Sequence, residues 1–203
     1  MRYAVQKPEA ATVISNMTDK EKVTDIVLPT FGELIRRPVE FLALGFGSGL
    51  AKVGPGTMGT LVAIPLFLLL WQLQDLFIYQ VIIVAGSGAG IYLCGETARR
   101  MGVHDHGSIV WDEIIGYLVT MLPIVAFGTG TWPLWAWVVS GFVLFRIFDI
   151  FKPFPINLLD KKVHGGLGIM LDDILAGINS ALVLYAIQLY LDGRFDSALT
   201  QFQ

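Results

Sequence analysis

Ile109-Val110-Trp111-Asp112-Glu113-Ile114-Ile115-Gly116 is the stretch whose reading decides the fold. Two adjacent acids head an apolar run that continues to Phe127. An unpaired carboxylate at the centre of a membrane helix costs roughly 2.5–3.5 kcal/mol on insertion scales. Acids in such a run therefore face a partner, a metal or a water-filled cavity. Whatever compensates Asp112 and Glu113 leads to function.

Around this stretch the chain has the composition of a membrane protein. Its 203 residues are 54% hydrophobic and 15% charged, whereas about 25% charged is usual in soluble domains. The mean hydropathy of +0.64 points the same way. Four further runs resemble the one at 109–127, namely 57–73, 76–95, 131–151 and 174–191. Each has close to the 17–25 residues a span needs. The expectation is an all-α, integral membrane bundle of about four to five apolar helices. Residues 1–40 read as a polar N-terminal tail and lead-in, 41–192 as the membrane-embedded domain and 193–203 as a C-terminal tail. The segment Phe41–Leu50 is apolar but too short to span, and its Gly45-x-Gly47-x-Gly49 spacing suits a buried or re-entrant segment. A lone cysteine, Cys94, excludes an internal disulfide, and the three histidines form no zinc spacing.

Threading the five runs alternately through a bilayer sorts the charges. One face receives Lys52, Arg99, Arg100, Lys152, Lys161, Lys162 and the N-terminal tail; the other receives only Arg194. Cytoplasmic loops carry the excess of lysine and arginine, so the first face is the cytoplasmic one. The same face collects the polar motifs: Gly54-Pro-Gly-Thr57, His104-Asp-His-Gly-Ser108, Asp112-Glu113, the Arg146–Lys152 segment and Asp172-Asp173. An ion pathway would put polar groups at both faces or near the midplane. Clustering at one face favours chemistry on a headgroup.

Within that collection, Asp112 and Gly116 lie one helical turn apart, and Asp173 and Gly177 repeat the spacing. A glycine one turn from an acid leaves room for another helix or a ligand. Asp112, Glu113, Asp149, Asp172 and Asp173 form a candidate carboxylate cluster from three helices. Such a cluster repels itself without a cation, and Mg2+, which takes oxygen ligands, is the economical one. Simpler readings stand beside this: Asp172 or Asp173 caps the last helix, or Asp112 pairs with Arg146. Arg146 and Asp149 share a helix face, with Lys152 a turn later. Arginine binds phosphate as a fork and lysine as a point charge. Gly54-x-Gly56-x-x-Gly59 mimics a dinucleotide fingerprint, but no strand precedes it. Pro55 and Thr57 instead suit a helix start, where free N–H groups, Thr57, Thr60 and nearby Lys52 could hold a phosphate. Cys94-x5-Arg100 has phosphatase spacing but reads as helix, with Glu96 placed to repel a phosphate. His104 and His106 read as solvated loop residues more readily than as catalytic ones.

The segments Gly45–Leu50, Pro55–Gly59, Met101–Glu113, Phe145–Asp149, Lys152–Pro155 and His164–Asp173 together resemble the phosphatidylglycerophosphatase A family. The resemblance runs from about Gly45 to Asn179. It implies an integral enzyme of the bacterial inner membrane that uses Mg2+ to remove the terminal phosphate of phosphatidylglycerophosphate, giving phosphatidylglycerol. On that reading Asp112, Glu113, Asp149 and Asp173 are the catalytic acids, the same four with Asp172 hold the metal, and Lys52, Thr57, Thr60, Arg146 and Lys152 bind phosphate. The partners are the lipid substrate and membrane lipids, with no nucleic acid expected and the oligomeric state left open. The competing readings are a membrane cation transporter or lipid-binding scaffold, and a phosphatase for another lipid phosphate such as phosphatidate.

Overall fold

The computed structural model describes residues 28–103, 106–151 and 165–193. Among them there is no strand, and the helices are α1 (Phe31–Leu34), α2 (Pro38–Ala43), α3 (Pro55–Trp71), α4 (Leu76–Met101), α5 (Trp111–Thr120), α6 (Leu122–Phe127), α7 (Leu134–Phe151) and α8 (Gly166–Leu191). A 3-10 segment, Gly45–Leu50, links α2 to the loop before α3. Helices α4, α7 and α8 are long and apolar enough to cross a membrane, and α3 is a shorter apolar helix. The outward faces carry large apolar side chains, among them Leu69, Phe77, Val84, Val139 and Leu182. A water-facing surface would not tolerate this belt, and a lipid-facing one requires it.

Helix α5 is the axis of the bundle. It packs against α3, α4, α7 and α8, and every residue from Ile114 to Thr120 is buried. A helix apolar on all sides belongs inside. Glycines set how closely its neighbours approach. A β-carbon on Gly116 would lie 2.7 Å from the Asp173 carbonyl oxygen, and one on Gly177 would lie 2.5 Å from the Gly116 carbonyl oxygen. The α5 and α8 backbones thus touch, as small-residue crossings permit. Gly166 of α8 meets the Ile91 carbonyl and Gly95 amide of α4 in the same way. Polar side chains inside the bundle find backbone acceptors. Tyr79 Oη donates to the Leu118 carbonyl at 2.7 Å, Tyr117 Oη to that of Val138 at 3.2 Å, and Trp111 Nε1 to that of Gly86 at 3.0 Å.

Two expectations shift. The third apolar run is not one helix: Pro123 lacks the N–H that would reach the Val119 carbonyl, and the helix breaks at Met121 into α5 and α6. The last helix begins at Gly166 rather than Ile174, with Gly165 as its N-cap. Asp172 and Asp173 therefore lie inside α8 and do not cap it. Before the bundle, Thr30 N and Oγ1 both donate to Glu33 Oε2 at 2.9 Å, which opens α1 and holds the Glu33 carboxyl below the usual range. Leu34 and Glu40 are buried, and α2 runs across position 40, so lead-in and bundle are continuous there.

Candidate active site

The acids assemble where α5 begins. Val110 is the N-cap of α5, and Asp112 and Glu113 occupy its first turn, at the positive end of the helix dipole. Asp173 enters from α8 because the Gly116–Gly177 crossing lies one turn further along both helices. One carboxylate oxygen each from Asp112, Glu113 and Asp173 lies within 4.8 Å of the others. Asp112 and Asp173 are buried, and Glu113 is partly so. At that separation two ionised carboxylates repel by roughly 3–4 kcal/mol in an effective dielectric of about 20. Three of them require a positive charge or a proton among them.

Part of that charge comes from α3 and α7. A β-carbon on Gly56, in the first turn of α3, would collide with Glu113 Oε1 and lie 3.2 Å from Arg146 Nη1. The N-terminal end of α3 and the Arg146 guanidinium thus converge on the Glu113 carboxylate. Gly54, the N-cap of α3, has φ +57 and offers no side-chain cap, so the end amides of this helix stay available. Arg146 Nη1 is 2.6 Å from Asp149 Oδ2, an ion pair without the alignment of a hydrogen bond. Among the described residues, Arg146 Nε and Glu113 Oε2 are buried and have no hydrogen-bond partner. A buried donor and a buried acceptor left open cost free energy unless a ligand completes them.

The other expected residues fall around this core. Asp149 holds Arg146 and stands outside the triplet. Asp172 is buried in α8 beside Asp173, also outside the triplet. Thr57 sits half-buried in the first turn of α3. Thr60 is buried, and its hydroxyl donates to the Gly56 carbonyl at 2.9 Å, which ties it to its own helix. Lys52 is exposed on the loop before α3. Lys152, His104, Lys161, Lys162 and His164 lie outside the described residues. His106 Nδ1 accepts the Ser108 amide at 3.1 Å, a loop-shaping contact. Cys94 is fully buried, and Arg100 pairs with Glu96 and Glu40, so no phosphatase loop forms there. Sequence reasoning missed the part of Gly56, whose signal was present only as a helix start.

The donor set is all oxygen, comes from two helices, and leaves the buried Glu113 Oε2 without a hydrogen bond. That chemistry fits a hard divalent cation. Beside it lie a guanidinium with an open N–H and a helix N-terminus, two kinds of phosphate donor. The arrangement can neutralise a phosphate monoester and place a water next to a carboxylate.

The family model described as phosphatidylglycerophosphatase A matches residues 41–188. A phosphatidylglycerophosphatase A of Escherichia coli (strain K12) is 52% identical over 154 residues, covering 74% of this chain and 83% of that protein. One of Haemophilus influenzae is 44% identical over 154 residues, covering 76% and 91%. No solved structure matches. The matched span includes the acid triplet, Gly56 and Arg146.

Proposed function

The chain belongs to the phosphatidylglycerophosphatase A family, and from that premise we propose that the carboxylates at the head of α5 are its hydrolytic centre. The protein is a lipid phosphatase that hydrolyses phosphatidylglycerophosphate. One observation carries the assignment of the site: Asp112, Glu113 and Asp173 converge within 4.8 Å, beside Arg146 and the free end of α3. All of these lie at one end of a bundle whose flanks are apolar, where a headgroup can enter while its acyl chains stay in lipid. The lysine and arginine asymmetry of the loops supports a cytoplasmic position for that end, in the bacterial inner membrane.

We assign the cation to Mg2+, held by Asp112, Glu113 and Asp173. When bound it supplies positive charge against the phosphate oxygens and makes a water more acidic. Arg146 presents Nε to a phosphate oxygen while Asp149 holds the guanidinium in place. The Gly56 and Thr57 amides of α3 face a second oxygen, and Lys52, exposed on the loop before α3, adds charge. One carboxylate of the triplet takes a proton from the attacking water. The new P–O bond forms as the bond from phosphorus to the glycerol oxygen breaks, and the carboxylate passes the proton it took from the water to that oxygen, which leaves as a hydroxyl. Phosphoryl transfer is mostly positioning and charge neutralisation, so no covalent nucleophile is needed. Asp172 receives no ligand role, and Thr60 serves the helix rather than the phosphate.

The test is release of inorganic phosphate from phosphatidylglycerophosphate by the purified protein in lipid–detergent micelles. Activity is expected to vanish in excess EDTA and to return with Mg2+. Full activity in EDTA removes the metal. Wild-type rates in both Asp112→Asn and Asp173→Asn remove the site.

A further inference from the structure

Glu40 is a buried charge that the mechanism above does not use. It is 1% exposed, and it lies one residue before the span that matches the family. Arg37 Nη1 approaches Glu40 Oε2 at 3.1 Å, and Arg100 Nη1 approaches Glu40 Oε1 at 3.2 Å. Arg100 also reaches Glu96 at 2.7 Å, one turn back on α4. The carboxylate therefore fastens α2 to the C-terminal end of α4.

From there the structure runs directly to the acids. The last residue of α2, Ala43, accepts the Val110 amide at 2.9 Å. Val110 is the N-cap of α5, two and three residues before Asp112 and Glu113. A β-carbon on Gly45 would lie 2.6 Å from Val110 Cγ2, and one on Gly49 would strike the Ser108 carbonyl. On its other side Val110 meets Gly59 of α3, at 2.6 Å from that glycine's β-position. The start of α5 is thus gripped between α3, which carries Gly56, and the lead-in, which Glu40 anchors. Backbone contacts this tight transmit displacement, because packed interiors yield little.

We propose that Glu40 and Arg100 form a positioning pair: their contact, through α2 and the 3-10 segment, fixes the first turn of α5 and so the register of Asp112 and Glu113 against Asp173. Glu40 touches no reacting group and acts only through Ala43 and Val110. The proposal rests on the reading of Asp112 and Glu113 as site acids.

The experiment compares wild type, Glu40→Gln, Arg100→Gln and the double variant, all as full chains in lipid nanodiscs. Two quantities are read: amide hydrogen exchange by peptide, and steady-state phosphate release. Glu40→Gln is expected to speed exchange in the peptide covering 106–116 while leaving the distal turn around Gly128 unchanged. It is expected to lower kcat about tenfold or more, since misplacement by an ångström can cost about a hundredfold, with KM within about twofold. The double variant should be no worse than the worse single one, because each removes the same contact. Glu40→Asp, which keeps the charge, should recover part of the rate. Uniformly faster exchange throughout the bundle would overturn the proposal in favour of a general stability role. Local exchange with unchanged kcat would overturn it too, as would unchanged exchange. Should Glu40→Gln fail to fold, the more exposed Arg100→Gln carries the same readouts. If wild type released no phosphate from phosphatidylglycerophosphate, faster exchange confined to 106–116 would still support the pair, and the failure would belong to the assigned reaction.

Discussion

At the scale of residues, the site is a meeting of open valences. Glu113 Oε2 and Arg146 Nε are both buried without a hydrogen-bond partner among the described residues, and Gly56 sits against both side chains. Replacing one acid with its amide keeps the shape and removes the charge. Asp112→Asn and Asp173→Asn are each expected to cut kcat/KM by at least about a hundredfold, the scale of losing a transition-state charge partner. Their double variant should lose little more, since the acids act as a unit. For Arg146 the discriminating change is to lysine, which keeps charge and loses the fork. Hydrogen bonds to charged groups contribute about 1.5–3 kcal/mol, so Arg146→Lys should reduce kcat/KM by roughly tenfold or more, measured by phosphate release. Asp112, Glu113 and Asp173 were legible in the sequence because an acid in an apolar run is costly and demands a partner. Glu40 was not, because it stands among Glu33, Arg36 and Arg37 and reads there as one more solvated charge.

At the scale of elements, glycine does two opposite things. In α8 the apolar run was expected from Ile174, whereas the helix starts eight residues earlier in Gly165-Gly-Leu-Gly168, where glycine weakens the helix signal. Tertiary contact overrides the propensity: Gly166 lets α8 touch the backbone of α4, and only a glycine fits. The break in the third run was signalled by Pro123, but an unbroken apolar pattern hid it. The contact map of glycines separates the two classes. A β-carbon on Gly88 of α4 meets nothing within 4 Å, whereas one on Gly177 meets the Gly116 carbonyl oxygen. Gly88→Ala should be neutral or raise stability by up to about 1 kcal/mol through helix propensity. Gly177→Ala should lower it by about 1–3 kcal/mol through overpacking. Thermal unfolding in a fixed detergent checks both, and equal effects would deny the crossing its role.

At the scale of the molecule, polarity is one-sided. The acid triplet, Arg146 and the Arg37–Glu40–Arg100–Glu96 chain sit at the end where α3, α5 and α8 begin and α4 and α7 end. At the far end Gln188 Nε2 donates to the Gly128 carbonyl at 2.7 Å and Trp137 Nε1 to that of Thr129 at 2.8 Å, and among the described residues the acids there are Asp75, which caps α4, and Asp192, which lies against Gly130. The all-helical bundle and its polar end were readable from hydropathy and loop charge. The way the lead-in threads back under α5 was not, because no local pattern encodes a contact between Ala43 and Val110. The proposed orientation has a direct check. Cys94 is buried, so the natural chain should be nearly silent to a membrane-impermeant thiol reagent. Lys52→Cys should then label from the cytoplasmic side, and Gln74→Cys from the opposite one; the reverse pattern would invert the molecule.

The backbone contact between Gly116 and Gly177 has one more consequence. It works as a caliper. Asp112 and Asp173 each stand one turn from the crossing, so the separation of their main chains is set by how closely two backbones can approach, with no side chain between them at the crossing. On the magnesium reading, widening that jaw favours ions with longer metal–oxygen distances. Opening it by one methyl group, as in Gly177→Ala, should shift the preferred activator from Mg2+ towards Mn2+ or Ca2+. Ion choice in this bundle would then be written in glycine rather than in the acids themselves.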